Sequence, residues 1–150
     1  MAKIIYGTTS NKNIDAKIEF SYTQDIANNE STVKAALYYK RNDKGYTTYG
    51  QGSFTISIGG KSTALSRYMN ISNAWVEAGS ATETISHGAD GTKYITISAS
   101  GSIPGTTLTS TSCSGGMSLD TIPRASTITS ATDKKLGSAC AVKWTPLSKS

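Results

Sequence analysis

Apolar and polar residues alternate one for one in short, separate blocks along most of this chain. A period of two is what an extended strand with one buried face requires, and it does not suit a helix. From Ala16 to Tyr22 the apolar set is Ile18, Phe20 and Tyr22, with Lys17, Glu19 and Ser21 on the other face. Thr32 to Lys40 repeats the arrangement with Val33, Ala35, Leu37 and Tyr39 inward and Tyr38 outward. Phe54, Ile56 and Ile58 alternate with Ser53, Thr55 and Ser57, and Ile95, Ile97 and Ala99 share one face of a strand over Lys93 to Ser100. The predicted core is therefore Ile18, Phe20, Val33, Leu37, Phe54, Ile56, Ile95 and Ile97. A one-residue slip in register would turn any of these sets to solvent.

Turn sequences separate the blocks. Asn42-Asp43-Lys44-Gly45 predicts a hairpin leading into a partner strand at Tyr46 to Tyr49, and Gly59-Gly60 predicts a second that returns through Ser62 to Leu65. His87-Gly88-Ala89-Asp90-Gly91 reads as a tight connection with Gly91 at positive φ, and Pro104-Gly105 as another turn. Trp75-Val76 and Thr82 to Ser86 read as two short strands, with room for one helical turn at most between Ser66 and Trp75. Cys113, Met117 and Leu119 fall on one face of a final strand, where Gly115-Gly116 predicts a bulge. With 150 residues and 37% hydrophobic content there is material for one such core. The expected fold is all-β: an antiparallel, immunoglobulin-like or jelly-roll-like β-sandwich of about seven to nine strands.

Proline cannot donate to a strand ladder, and the composition shifts after Pro123. This predicts a sandwich domain over 1–122. Residues 123–150 then form a linker and the opening strand of a following immunoglobulin-like module, with Cys140, Val142 and Trp144 on one face of Gly137 to Trp144. That strand has no later partner in the chain, so the expectation is that it docks on the first domain, pairs with another copy or continues past Ser150.

The composition argues against several chemistries. The net charge is +5, but Lys134, Lys135, Lys143 and Lys149 against Asp133 place most of it after residue 124. The domain itself has no basic stripe that would track a nucleic acid. No apolar run is long enough to span a membrane, and Met1 to Tyr6 lacks the apolar core of a secretion signal, so a soluble product made in a cytoplasm is expected. One histidine and two cysteines, Cys113 and Cys140, offer no metal-ligand spacing; no metal or other cofactor is expected, and both thiols read as small buried hydrophobes. Glu19 faces outward, Asp43 and Asp90 lie in turns, His87 precedes a glycine and no GxSxG elbow occurs, so the chain does not read as an enzyme. The aromatics are more informative. Tyr38, Tyr46 and Tyr49 flank the first hairpin, with Lys40, Arg41 and Lys44 at its tip, and could form a flat platform for a glycan or a subunit contact.

The segments Ser118-Leu-Asp-Thr-Ile-Pro-Arg-Ala-Ser126 and His87-Gly-Ala-Asp-Gly-Thr-Lys-Tyr-Ile-Thr-Ile-Ser98, followed by Gly-Ser-Ala-Cys-Ala-Val-Lys-Trp144, resemble minor structural proteins of long-tailed phages of Gram-positive bacteria. In that family a β-sandwich opens the protein, an IPRAS stretch closes it and immunoglobulin-like modules follow. The resemblance implies a virion component of the tail or a tail fibre, made in the host cytoplasm. Its partners would be other phage structural proteins and further copies of itself. The alternative is a carbohydrate-binding module whose tyrosine hairpin recognises polysaccharide on the host surface. Asp90, Gly91 and Tyr94 are also similar to the corner motif of immunoglobulin domains, although Tyr94 has the parity opposite to Ile95 and Ile97.

Overall fold

A computed structural model describes residues 3–124. They form β1 (Lys3–Thr9), β2 (Ile14–Asp25), β3 (Glu30–Arg41), β4 (Thr48–Ile58), β5 (Lys61–Ile71), β6 (Val76–Ser86), β7 (Tyr94–Ser102) and β8 (Thr111–Ser118), all paired antiparallel. No helix occurs among the described residues, hence none long and apolar enough to cross a membrane. The strands run in the order β5-β4-β7-β8-β1-β2-β3-β6, which makes two four-stranded sheets hinged at β1. Lys3 to Gly7 pair with β2, whereas Thr8 and Thr9 pair with Ser112 and Thr111 of β8. Gly7 stands at this change of partner. A β-carbon there would overlap Cys113 Sγ and the Ser112 carbonyl, so the corner admits only glycine. At the opposite margin the ends of the order, β5 and β6, come together through Leu65, whose side chain covers Gly79, and the result is a barrel-like, nearly closed sandwich. Pairing β4 with β5, β3 with β6 and β1 with β8 nests the chain around one central hairpin in the jelly-roll manner.

The core lies where alternation puts it. All eight predicted residues are buried, together with Tyr39, Ile58, Met69, Ile71, Ile103 and Leu108. The β4–β5 hairpin forms as expected: Gly59 and Gly60 have φ of +59° and +89°, the pair of positive values that a type I′ turn needs. Gly91 is at φ +84°, also as expected.

Other expectations change. The hairpin at Asn42–Gly45 does not form, because β3 is already flanked by β2 and β6, and β4 by β5 and β7. Residues 42–47 instead arch from one sheet to the other, and turn chemistry, being local, is the same for both routes. The Asp90-Gly91 turn likewise joins strands of different sheets. Trp75 precedes β6, and the two short strands predicted there are one, with a β-bulge opposite Leu37 and Tyr38. The segment from Ser66 to Ile71 is strand and holds no helical turn. The β7–β8 register runs unbroken past Gly115-Gly116, so the expected bulge is absent; Gly115 leaves room for the Ile5 side chain and Gly116 lies under the Tyr94 ring. The second module expected over 123–150, with the strand at Cys140, Val142 and Trp144, lies outside the described residues apart from Pro123 and Arg124.

Candidate interaction surface

The outer face of the β6-β3-β2-β1 sheet carries charge and aromatic rings. Paired residues share a face, so the register lays Tyr6, Lys17, Tyr38 and Glu77 in one row across the four strands. Trp75, just before β6, covers this row. Its ring centroid is 4.3 Å from Lys17 Nζ and 5.0 Å from Lys40 Nζ, and Tyr38 is 5.5 Å from Lys17 Nζ. Lys17 is thereby buried although its parity is outward, and its ammonium pairs with Glu19 Oε2 at 2.5 Å. Partial burial, with Glu77 and Glu19 nearby, pushes the Tyr38 hydroxyl above its ordinary value. Tyr6 stays exposed at the end of the row. Alternation alone marks Lys17 as solvent-facing; the expected strand at Trp75-Val76 gave no sign that the Trp75 ring would cover it.

The structure separates the residues that the sequence grouped. Tyr38 and Lys40 lie on this face, whereas Tyr49 is on the outer face of β4, in the other sheet. Tyr46 and Lys44 are exposed in the arch. Arg41 is buried: Nε and Nη2 donate to the two Asp43 carboxylate oxygens at 2.7 and 2.6 Å, Nη1 donates to Thr48 Oγ1 at 2.7 Å, and the guanidinium lies 5.5 Å from the Tyr46 ring centroid. It holds the arch in place. The six residues thus form no single platform, because Tyr38 and Tyr49 face opposite ways.

The outer face of the β5-β4-β7-β8 sheet is different in kind. One rung reads Ser62-Ser57-Ser98-Ser114 across the four strands, the next Ala64-Thr55-Ser100, the next Ser66-Ser53-Ser102. Beyond these, Gln51 pairs with Tyr68 and Tyr49 with Asn70, setting two exposed tyrosines and two amides in a checkerboard. No outward position of these strands carries a charge.

The polar interior is occupied with holding loops. His87 is buried with Ser31 Oγ 2.6 Å from Nε2 and the Gly91 carbonyl 2.7 Å from Nδ1. A carbonyl only accepts, so Nδ1 donates and Nε2 accepts the Ser31 hydroxyl proton. The spacing is that of a nucleophile and its base, but Ser31 is fully buried and no substrate atom can approach it. Next to this pair the segment after β8 is fastened: Leu119 N donates to Lys93 O at 2.8 Å, Ile122 N to Gly91 O at 2.9 Å, and Ile122 is fully buried. Cys113 is a buried free thiol, pushed up to about 11 by burial. Among the described residues, no three of His, Cys, Asp and Glu converge as a metal site would require.

Fold and surface together define a β-sandwich module that presents two open sheet faces of contrasting chemistry. The chain belongs to the family described as siphovirus protein of unknown function (DUF859), whose model matches residues 8–150. It is thus a protein of a tailed phage. No curated protein matches it.

Proposed function

We propose that the chain is a structural module of the virion, placed in the tail or a tail fibre of a phage of Gram-positive bacteria, where its N-terminal sandwich attaches to other structural proteins or to further copies of itself. The observation that carries this reading is the aromatic, mixed-charge face of the β6-β3-β2-β1 sheet. Tyrosine, tryptophan and arginine are the residues protein contacts favour, and here Tyr6 is left exposed beside a rigid Trp75–Lys17–Tyr38 cluster. Ile122, the first residue of the IPRAS stretch, is tied to the sandwich by its amide, which donates to the Gly91 carbonyl at 2.9 Å. In this reading the chain performs no catalysis, and the sealed Ser31–His87 pair serves packing.

Labelling intact particles with a gold-conjugated antibody raised against the purified chain tests the assignment. Label confined to the tail or its distal fibres is expected. Particles that contain no copy of the chain by mass spectrometry would refute it. A Tyr6→Ser, Trp75→Ala variant, if still folded, should enter particles poorly.

A further inference from the structure

We infer that the outer face of the β5-β4-β7-β8 sheet is a binding site for a neutral, hydroxyl-rich polysaccharide, with Tyr49 and Tyr68 as its stacking residues. This goes beyond an assembly role and does not depend on it. At one end of the face Tyr49 and Tyr68 are diagonal neighbours on adjacent strands, both exposed, each with a side-chain amide opposite: Asn70 across from Tyr49 and Gln51 across from Tyr68. At that separation two rings can present one broad apolar surface. The C–H face of a pyranose stacks on such a surface, and an amide supplies both a donor and an acceptor to the hydroxyls at its edge. Beside the tyrosines lies a trough of about 620 Å3, of the size of ligand-binding clefts, lined by hydroxyls such as those of Ser53, Ser100 and Ser110 and by the apolar Phe54, Ala64 and Leu65.

Three features choose the ligand class. First, the outward side chains of the face have no charge, while the opposite sheet displays Glu19, Lys34, Lys40 and Glu77. An acidic polymer would find its counter-charges there and not here. Second, protein interfaces are depleted in serine, so a second protein is a poor occupant. Third, the face from Tyr49 to Ser57 runs about 27 Å at roughly 3.4 Å per residue, long enough for a chain of sugars and far too long for one.

The test uses the full chain on an array of neutral hexose and N-acetylhexosamine oligosaccharides of increasing length, beside acidic oligosaccharides and poly(glycerol phosphate). Expected is binding to a neutral series that strengthens with length and changes little in high salt. Tyr49→Ala with Tyr68→Ala should weaken it about tenfold or more, as should Ser100→Arg, which puts a large cation in the trough. Thr82→Ala on the opposite sheet should leave it unchanged. All altered side chains are exposed, and thermal melting confirms that each variant folds. Binding to no neutral glycan, binding to the acidic polymers alone, or indifference to the tyrosine and trough substitutions would overturn the inference. So would light scattering in which the tyrosine variants dissociate an oligomer, because the face would then be covered by a second copy. Particle labelling is unaffected by any of these results, so failure here is separable from failure of the virion assignment.

Discussion

At Gly91 a β-carbon would overlap the carbonyl oxygen of Ile122, and the backbone sits at φ +84°, so alanine meets two independent penalties there. Gly91→Ala should cost about 2 kcal/mol or more and lower the melting temperature by several degrees. Unchanged melting would show that the loop accepts another conformation without losing the Ile122 contact. The positive φ was legible in Asp90-Gly91 as a turn pair. The overlap was not, since it depends on a residue about thirty positions later that local chemistry does not see. Buried ionisable groups give a second prediction at this scale. Burial raises the Cys113 thiol from 9.0 to about 11 and the Tyr39 hydroxyl well above its ordinary value, although Tyr39 also bonds Thr111 Oγ1 at 2.7 Å. Both hold their protons more tightly folded than unfolded, so the Cys113 contribution is complete below about pH 9 and is lost as pH rises through about 11, while that of Tyr39 persists to higher pH. Melting temperature should therefore fall across that window, and the fall should be shallower in Cys113→Ala than in the parent.

The arch from β3 to β4 is where local and global information part. Asn42-Asp43-Lys44-Gly45 does turn the chain, as its composition demands, but only the occupancy of both edges of β3 sends it across to the other sheet. The arch is fastened by Arg41, whose backbone N–H donates to Ser72 O at 2.6 Å and whose guanidinium grips Asp43 with two bonds. That grip holds the Asp43 carboxyl below its ordinary value of 3.8. The pair's stabilisation is thus present at neutral pH and is lost as pH falls below the ordinary carboxylate range. Asp43→Asn should lower the melting temperature at neutral pH, leaving a buried guanidinium without its counter-charge, and the gap between variant and parent should narrow in acid. An equal gap at both pH values would mean that the ion pair contributes nothing and that the substitution acts through the turn alone. Lys17 carries the same lesson: period two marked it as outward, which is correct, but outward in this sheet means under Trp75.

For the whole molecule, alternation was enough to give the class of fold and the core, because both follow from which face each residue occupies. Closure was not legible. It rests on Gly7 allowing β1 to change partners and on Leu65 reaching Gly79, contacts between residues far apart in sequence. The surface was half legible, since the outward serines and tyrosines could be listed but not sorted between two faces until the sheet order was known. The same accounting predicts where the sandwich ends. Among the described residues Leu119 and Ile122 are the last buried side chains, both backbone amides are bonded to the loop before β7, and Pro123 and Arg124 are exposed. A chain ending at Arg124 keeps all eight strands and every buried residue named above, so it should unfold cooperatively at nearly the parent temperature. A chain ending at Ser118 keeps the strands but loses Leu119 and Ile122. At about 1.5–3 kcal/mol for each buried side chain, that removes a large part of a typical domain's margin of about 5–15 kcal/mol. The second truncation should melt far lower or fail to fold, with ordinary light scattering in the first and aggregation in the second. If the chain ending at Arg124 also fails, residues 125–150 complete the first domain, and the boundary expected at Pro123 is misplaced.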